Sequence, residues 1–119
     1  MALLTKEAIL QAQDLPTEDV EVREWGGTVR VRALTGAERD AFEQGVVETR
    51  GKSTRMNLRN IRAKLVALTV VDEDGKRVFT DEDAELLGRK SAAALNRVFE
   101  VAQRLSGLRP EDVEELAGN

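Results

Sequence analysis

The spacing of valines and glycines between residues 20 and 32 leaves this chain few local options. Val20 and Val22 alternate with Glu21 and Arg23, and beyond Gly26 and Gly27 the alternation resumes as Val29 and Val31 against Arg30 and Arg32. Period-two alternation on both sides of a glycine pair predicts a β-hairpin, because glycine reaches the positive φ of tight hairpin turns. The valines then share one face and the charges the other. Directly afterwards, Thr35, Gly36, Ala37 and Glu38 match a capping box. In that motif the threonine oxygen accepts a helix N–H while the glutamate carboxylate accepts the threonine N–H. A helix is therefore expected to begin at Gly36.

The remaining elements follow from periodicity and caps. Thr5 is placed to cap a first helix reaching Gln13, with Leu4 and Ile9 as a hydrophobic staple and Pro16 as the stop. The second helix offers Ala41, Phe42, Gly45 and Val46 as an apolar edge until Arg50 and Gly51, and residues 51–54 read as an exposed loop. Leu58, Ile61, Leu65 and Leu68 recur at intervals of three and four, which predicts a helix with one apolar stripe over residues 57–69. Val70 and Val71, a turn at Asp74 and Gly75, and Val78 with Phe79 predict a short second hairpin over about residues 69–79.

Thr80 and Asp83 resemble another helix start, which Glu85 to Leu87 would continue. Ser91 is placed to cap a longer helix with Leu95, Val98, Phe99, Ala102 and Leu105 on one stripe and Gly107 at its end. Pro110 suits the first position of a last short helix through Ala117. The expected class is α+β, mainly helical: one small domain over residues 1–119 with an N-terminal hairpin at about 20–32.

Composition narrows function by what it withholds. The chain has no histidine, cysteine or tyrosine, so the commonest acid-base, nucleophilic and metal-binding groups are missing and no enzyme is expected. Disulfides and thiolate metal sites are excluded, and nothing calls for a cofactor. A formal net charge of −4 gives no overall attraction to nucleic acid or anionic membranes. The N-terminal stretch is too short and too soon acidic for a signal peptide, and no apolar run approaches membrane-spanning length, so a soluble, unexported protein is expected.

Two acidic clusters, at residues 72–74 and 81–83, could hold a hard cation such as magnesium. A calcium loop with Gly75 at its sixth position would put Val70 first, where a carboxylate is required, and that register fails. A charged turn followed by a helix cap accounts for both clusters with fewer assumptions, and no metal site is expected.

The strongest local charge feature is basic, since Arg50, Lys52, Arg55, Arg59, Arg62 and Lys64 occur with no acid among them. On a helix, Arg55, Arg59 and Arg62 would form a ridge beside Leu58 and Ile61, the candidate partner-binding face. That ridge can be solvated or paired within the chain, can meet an acidic protein, or can meet phosphates. The absence of interleaved aromatics and of a glycine-rich phosphate loop disfavours nucleic acid. Trp25 beside the turn can plug the core or stand out as a binding anchor. Thr35, Glu38 and Arg39 are accounted for as a cap and a surface ion pair.

The order of these parts carries more than any one of them. The stretch WGGTVRVRALTGAERDAFE, preceded by ILQAQDLPTEDVEV and followed near the end by RLSGL at residues 104–108, resembles the tail assembly chaperones of long-tailed bacteriophages and prophages. Trp25, Gly26, Gly27, Leu34, Thr35, Gly36, Glu38 and Arg39 carry that resemblance. It implies a non-enzymatic protein of the host bacterial cytoplasm that binds the long helical tape measure protein, keeps it soluble and helps recruit major tail tube subunits. It further implies departure before the virion is complete and a longer product made by frameshifting, of which this chain would be the short form. Self-association, with several copies along one tape measure gaining avidity, is a separate expectation.

Two readings compete with it. A head-to-tail connector or tail terminator would remain in the particle, and a small nucleic-acid-binding regulator would use residues 50–64.

Overall fold

A computed structural model describes residues 2–50, 53–56 and 60–108. Its elements run α1 (Lys6–Gln11), β1 (Thr17–Val22), β2 (Gly27–Arg32), α2 (Gly36–Val46), β3 (Val47–Arg50), β4 (Ser53–Met56), α3 (Ile61–Thr69), β5 (Val70–Val71), α4 (Ala84–Leu87) and α5 (Ala92–Leu105).

The first hairpin forms as the alternation requires. β1 and β2 pair antiparallel with Val20 opposite Val29, so the four valines lie on one face, where Val20, Val22 and Val31 are buried. On the other face Arg30 donates to both carboxylate oxygens of Asp19, at 2.8 and 3.2 Å, which holds that carboxyl below its usual range. The turn is wider than a glycine pair. A 3-10 turn over Arg23–Trp25 is closed by Gly26 at φ 76°, and Gly27 already belongs to β2. The wider turn carries Trp25 against the core.

α5 covers the valine face. Its Leu95, Val98, Phe99 and Ala102 are buried together with Ala94, the amphipathic stripe that the sequence spells. Ser91 Oγ accepts the Ala94 N–H at 3.2 Å at one end. At the other, Gly107 at φ 72° lets the Leu108 N–H return to the Gln103 carbonyl, and Leu108 is buried. Polar ties align helix and hairpin. Arg97 forks onto Glu24 at 2.8 and 3.1 Å, Arg104 donates to both oxygens of Glu18, and the Leu34 N–H donates to Ser106 Oγ at 3.0 Å.

α3 corrects the expected single stripe. Ala63, Leu65, Val66, Ala67 and Thr69 are buried while Ile61 and Leu68 are only partly so. The helix packs on α5 and also on α2 and α4, and a helix with neighbours on several sides is apolar nearly all round. Its C-terminal carbonyls, which lack intrahelical partners, are met from outside. Arg77 donates to the Ala67 carbonyl at 3.0 Å and Arg32 to that of Leu68 at 3.3 Å, while Thr69 Oγ1 donates back to the Leu65 carbonyl at 2.8 Å.

The middle of the chain departs further from expectation. α2 ends at Val46, and Val47–Arg50 pairs antiparallel with Ser53–Met56, so a second two-stranded sheet stands where a helix end and an exposed loop were expected. β-Branched Val47, Thr49 and Thr54 favour strand, and in this register Glu48 stands opposite Arg55. α3 begins at Ile61 rather than at residue 57, with Asn60 as its cap at φ 57°. Leu58 and Arg59 lie outside the described residues, as does the expected helix after Pro110.

The expected second hairpin is present in reduced form. Val70 and Val71 join the first hairpin as a third antiparallel strand on β2. The chain then turns over Gly75 at φ 81°, with Asp72 Oδ1 accepting the N–H groups of Asp74 and Lys76, and returns through a single bridge between Val71 and Arg77. Asp83 accepts the Thr80 N–H at 2.8 Å ahead of α4, as the cap signature predicts.

Leu65 is fully buried, whereas Leu86 is 56% exposed. Leu65→Ala is expected to lower unfolding free energy by about 2–5 kcal/mol in urea titrations, and Leu86→Ala to change it by less than about 0.5 kcal/mol.

Candidate partner-binding site

The residues singled out between Trp25 and Arg39 serve the interior. Trp25 is half-buried against the core, and its indole Nε1 is buried without a hydrogen-bond partner, so it acts as a plug rather than an exposed anchor. Leu34 is buried and takes Ser106 through its N–H. The capping box closes in both directions: Glu38 N–H to Thr35 Oγ1 at 3.1 Å, and Thr35 N–H to Glu38 Oε1 at 2.9 Å. Arg32 adds contacts of 3.0 and 2.9 Å to the same carboxylate, and Arg39 pairs with Glu43 one turn on at 3.1 Å. Burial by itself would raise the Glu38 pKa. The Thr35 N–H and the Arg32 guanidinium outweigh it and hold the carboxyl below its ordinary value of 4.5.

The expected arginine ridge would need Arg55 and Arg62 on one helix, and they are not. Arg55 lies on β4 and Arg62 on α3, so the two share no helical face, and Leu58 and Arg59 fall outside the described residues. Arg62 itself is held in place. Its Nε donates to Asn96 Oδ1 at 3.2 Å, and its guanidinium lies 5.6 Å from the centre of the Phe99 ring.

The acidic clusters are engaged locally. Asp72 organises its own turn, Asp81 accepts from Arg77 at 2.9 Å, and Asp83 caps Thr80. Among the described residues, no three potential ligands are grouped to hold a metal ion, and no helix is long and apolar enough to cross a membrane.

Two surface features escaped the sequence reading. The first is α1. Thr5 caps it as expected, accepting the Ala8 N–H at 3.1 Å, but it ends at Gln11 and every residue from 2 to 14 is exposed. Leu3, Leu4, Ile9 and Leu10 are 93, 74, 56 and 73% exposed, so any staple between Leu4 and Ile9 shields little of either. Four large aliphatic side chains exposed within eight residues are a local concentration of apolar surface of the kind that marks an interaction site.

The second is an open cleft of about 610 Å³ between the starts of α3 and α5, bordered by Gly88 after α4. Arg62, Lys90 and Asn96 line it beside Ile61, Ala92 and Ala93. These residues come from separate stretches of the chain, and no sequence motif joins them.

The comparisons agree with the fold. A family model described as phage tail assembly chaperone matches residues 4–119. The solved structure of the bacteriophage HK97 tail assembly chaperone is similar with a TM-score of 0.59 and 20% identity, over 83% of this chain and 94% of that one. A search of curated proteins finds no match.

Because the Glu38 carboxyl titrates below its unfolded value, its contribution to stability is fully present above about pH 4.5 and is lost as pH falls through the folded value. Glu38→Gln is expected to cost about 1–2 kcal/mol near neutral pH, the range of a lost cap. That difference from wild type should narrow below pH 4.5 in denaturation curves recorded from pH 7 to 3.

Proposed function

Because the chain belongs to the phage tail assembly chaperone family, we propose that it binds the tape measure protein, keeps it soluble and helps recruit tail tube subunits around it. It acts by binding, without catalysis, in the cytoplasm of the infected bacterium, and leaves before the virion is complete. Several copies act along one tape measure, where linked weak contacts gain avidity.

The observation that carries this reading is α1. Ile9 and Leu10 on it, and Leu3 and Leu4 just before it, are exposed aliphatic residues with no covering element among the described residues. Fully burying a side chain of this size yields about 1.5–3 kcal/mol. Four together give on the order of 6–12 kcal/mol, a sum that must first offset the entropy of association. The net result is a modest, reversible affinity for an apolar stripe on a long helix, which suits a protein that is later displaced.

Co-expression with the cognate tape measure protein should raise its soluble yield and co-purify the pair, and unchanged solubility with no co-purification would overturn the proposal. Ile9→Ser combined with Leu10→Ser should lower recovery of the complex at least tenfold while leaving the melting temperature within about 2 °C, since neither side chain is buried. Mass spectrometry of purified virions should find the chain absent or scarce. Stoichiometric copies there would favour the connector reading.

A further inference from the structure

The cleft between α3 and α5 has a chemistry that the fold does not use. Arg62 and Lys90 stand on its rim, and no carboxylate lines it among the described residues. Six other arginines are matched to carboxylates within the chain: Arg30 to Asp19, Arg32 to Glu38, Arg39 to Glu43, Arg77 to Asp81, Arg97 to Glu24 and Arg104 to Glu18. Arg62 has instead an amide and a ring face. Asn96 takes its Nε and its guanidinium carbon sits over the Phe99 ring, 5.6 Å from the ring centre, so the group is held from two sides while its charge meets no acid among the described residues. A fixed planar guanidinium is suited to a carboxylate.

Lys90 supplies a second, movable charge one residue before Ser91, and the positive end of α5 adds to the same sign. The lining also has an aliphatic part, made by Ile61, Ala92, Ala93 and Leu95. A polynucleotide fits poorly here, because the lining offers no aromatic ring for stacking and the chain carries a net charge of −4. A peptide with carboxylates on either side of an aliphatic residue matches both the cationic and the aliphatic parts of that lining.

We propose that this cleft docks a short acidic segment of the tape measure protein, with one carboxylate on Arg62, a second on Lys90 and an aliphatic side chain over Ile61 and Ala93. The assignment rests on the chaperone reading above and adds to it a second, polar contact separate from α1. The apolar arm would then supply affinity that discriminates little between sequences, and the cleft would select acidic stations along the partner.

The test uses the full chain and the full tape measure protein, with dissociation constants measured at 50 and 300 mM salt. Lys90→Gln should weaken binding about tenfold at low salt, the scale of a lost charge-assisted hydrogen bond, and should flatten the salt dependence. Lys90→Arg should retain affinity. Ala93→Trp, which adds bulk to the cleft lining from an exposed position, should weaken binding without changing the melting temperature.

Wild-type affinity and salt dependence in both Lys90→Gln and Ala93→Trp would overturn the cleft assignment. If the α1 variant then still loses binding, the chaperone reading survives that failure, whereas no binding by the wild-type chain ends both. A carboxyl-to-amine cross-link joining Lys90 to the acidic residues at 111–115 of the chain itself, in place of one to the partner, would also overturn it.

Discussion

The C-terminal end of α3 sets the terms for most of the structure. A buried helix end leaves carbonyls that water cannot reach, and each needs a donor from elsewhere in the chain. Arg32 and Arg77 provide those donors for Leu68 and Ala67. Each arginine also has a second commitment. Arg32 holds Glu38 at the start of α2, and Arg77 holds Asp81 ahead of α4. The negative end of one central helix thus fixes the exit of β2, the entry of α2 and the return of the chain after β5. The arrangement has a cost: Arg32 Nε is buried without a partner. That is tolerable because the rest of the same guanidinium is charge-paired and hydrogen-bonded.

Around that helix, α5 and the hairpin form the second half of the core. The valine face of β1 and β2 is apolar on one side only, and α5 covers it with a stripe of matching width. Nonpolar contact sets the distance between them but fixes direction poorly. The forked Arg97 to Glu24 contact, the Arg104 to Glu18 pair and the Ser106 bond to the Leu34 N–H supply the alignment. Exposed ion pairs contribute little stability individually, so their role here is orientation.

How much of this was legible depends on how local each signal is. The Thr35 to Glu38 box, the Ser91 cap, the α5 stripe and the hairpin valines are short-range patterns with one geometric meaning, and they fold as read. Arg55 lies on a strand although its spacing of four and three to Arg59 and Arg62 fits a helix, because such spacing takes no account of what the intervening residues prefer. The strand tendency of Val47, Thr49 and Thr54 was the better guide. The burial of Ala63, Val66 and Ala67 on further sides of α3 depends on how many neighbours the helix acquires, which no local pattern records. The cleft is less legible still, since Arg62, Lys90 and Asn96 meet only after α3, α4 and α5 have packed.

These differences bear on where function can reside. Trp25, Leu34, Thr35 and Glu38, the residues by which the family resemblance is read, are committed to burial, caps and internal pairs. A side chain whose polar atoms already have internal partners gains little by meeting a new one, and moving it would expose what it now covers. Free energy for association must come from groups whose best interactions are still unmade in the isolated chain. Among the described residues, the exposed aliphatic side chains on and just before α1 are one such set, and the cationic rim at Arg62 and Lys90 is another. The two are chemically unlike, and their salt responses should differ in kind: burial of an aliphatic row is nearly indifferent to moderate salt, whereas pairing across a solvent-exposed rim weakens with it. A chaperone that holds its partner through both can be displaced in steps, because loss of one contact leaves the other engaged at high effective concentration until a competing subunit covers it as well.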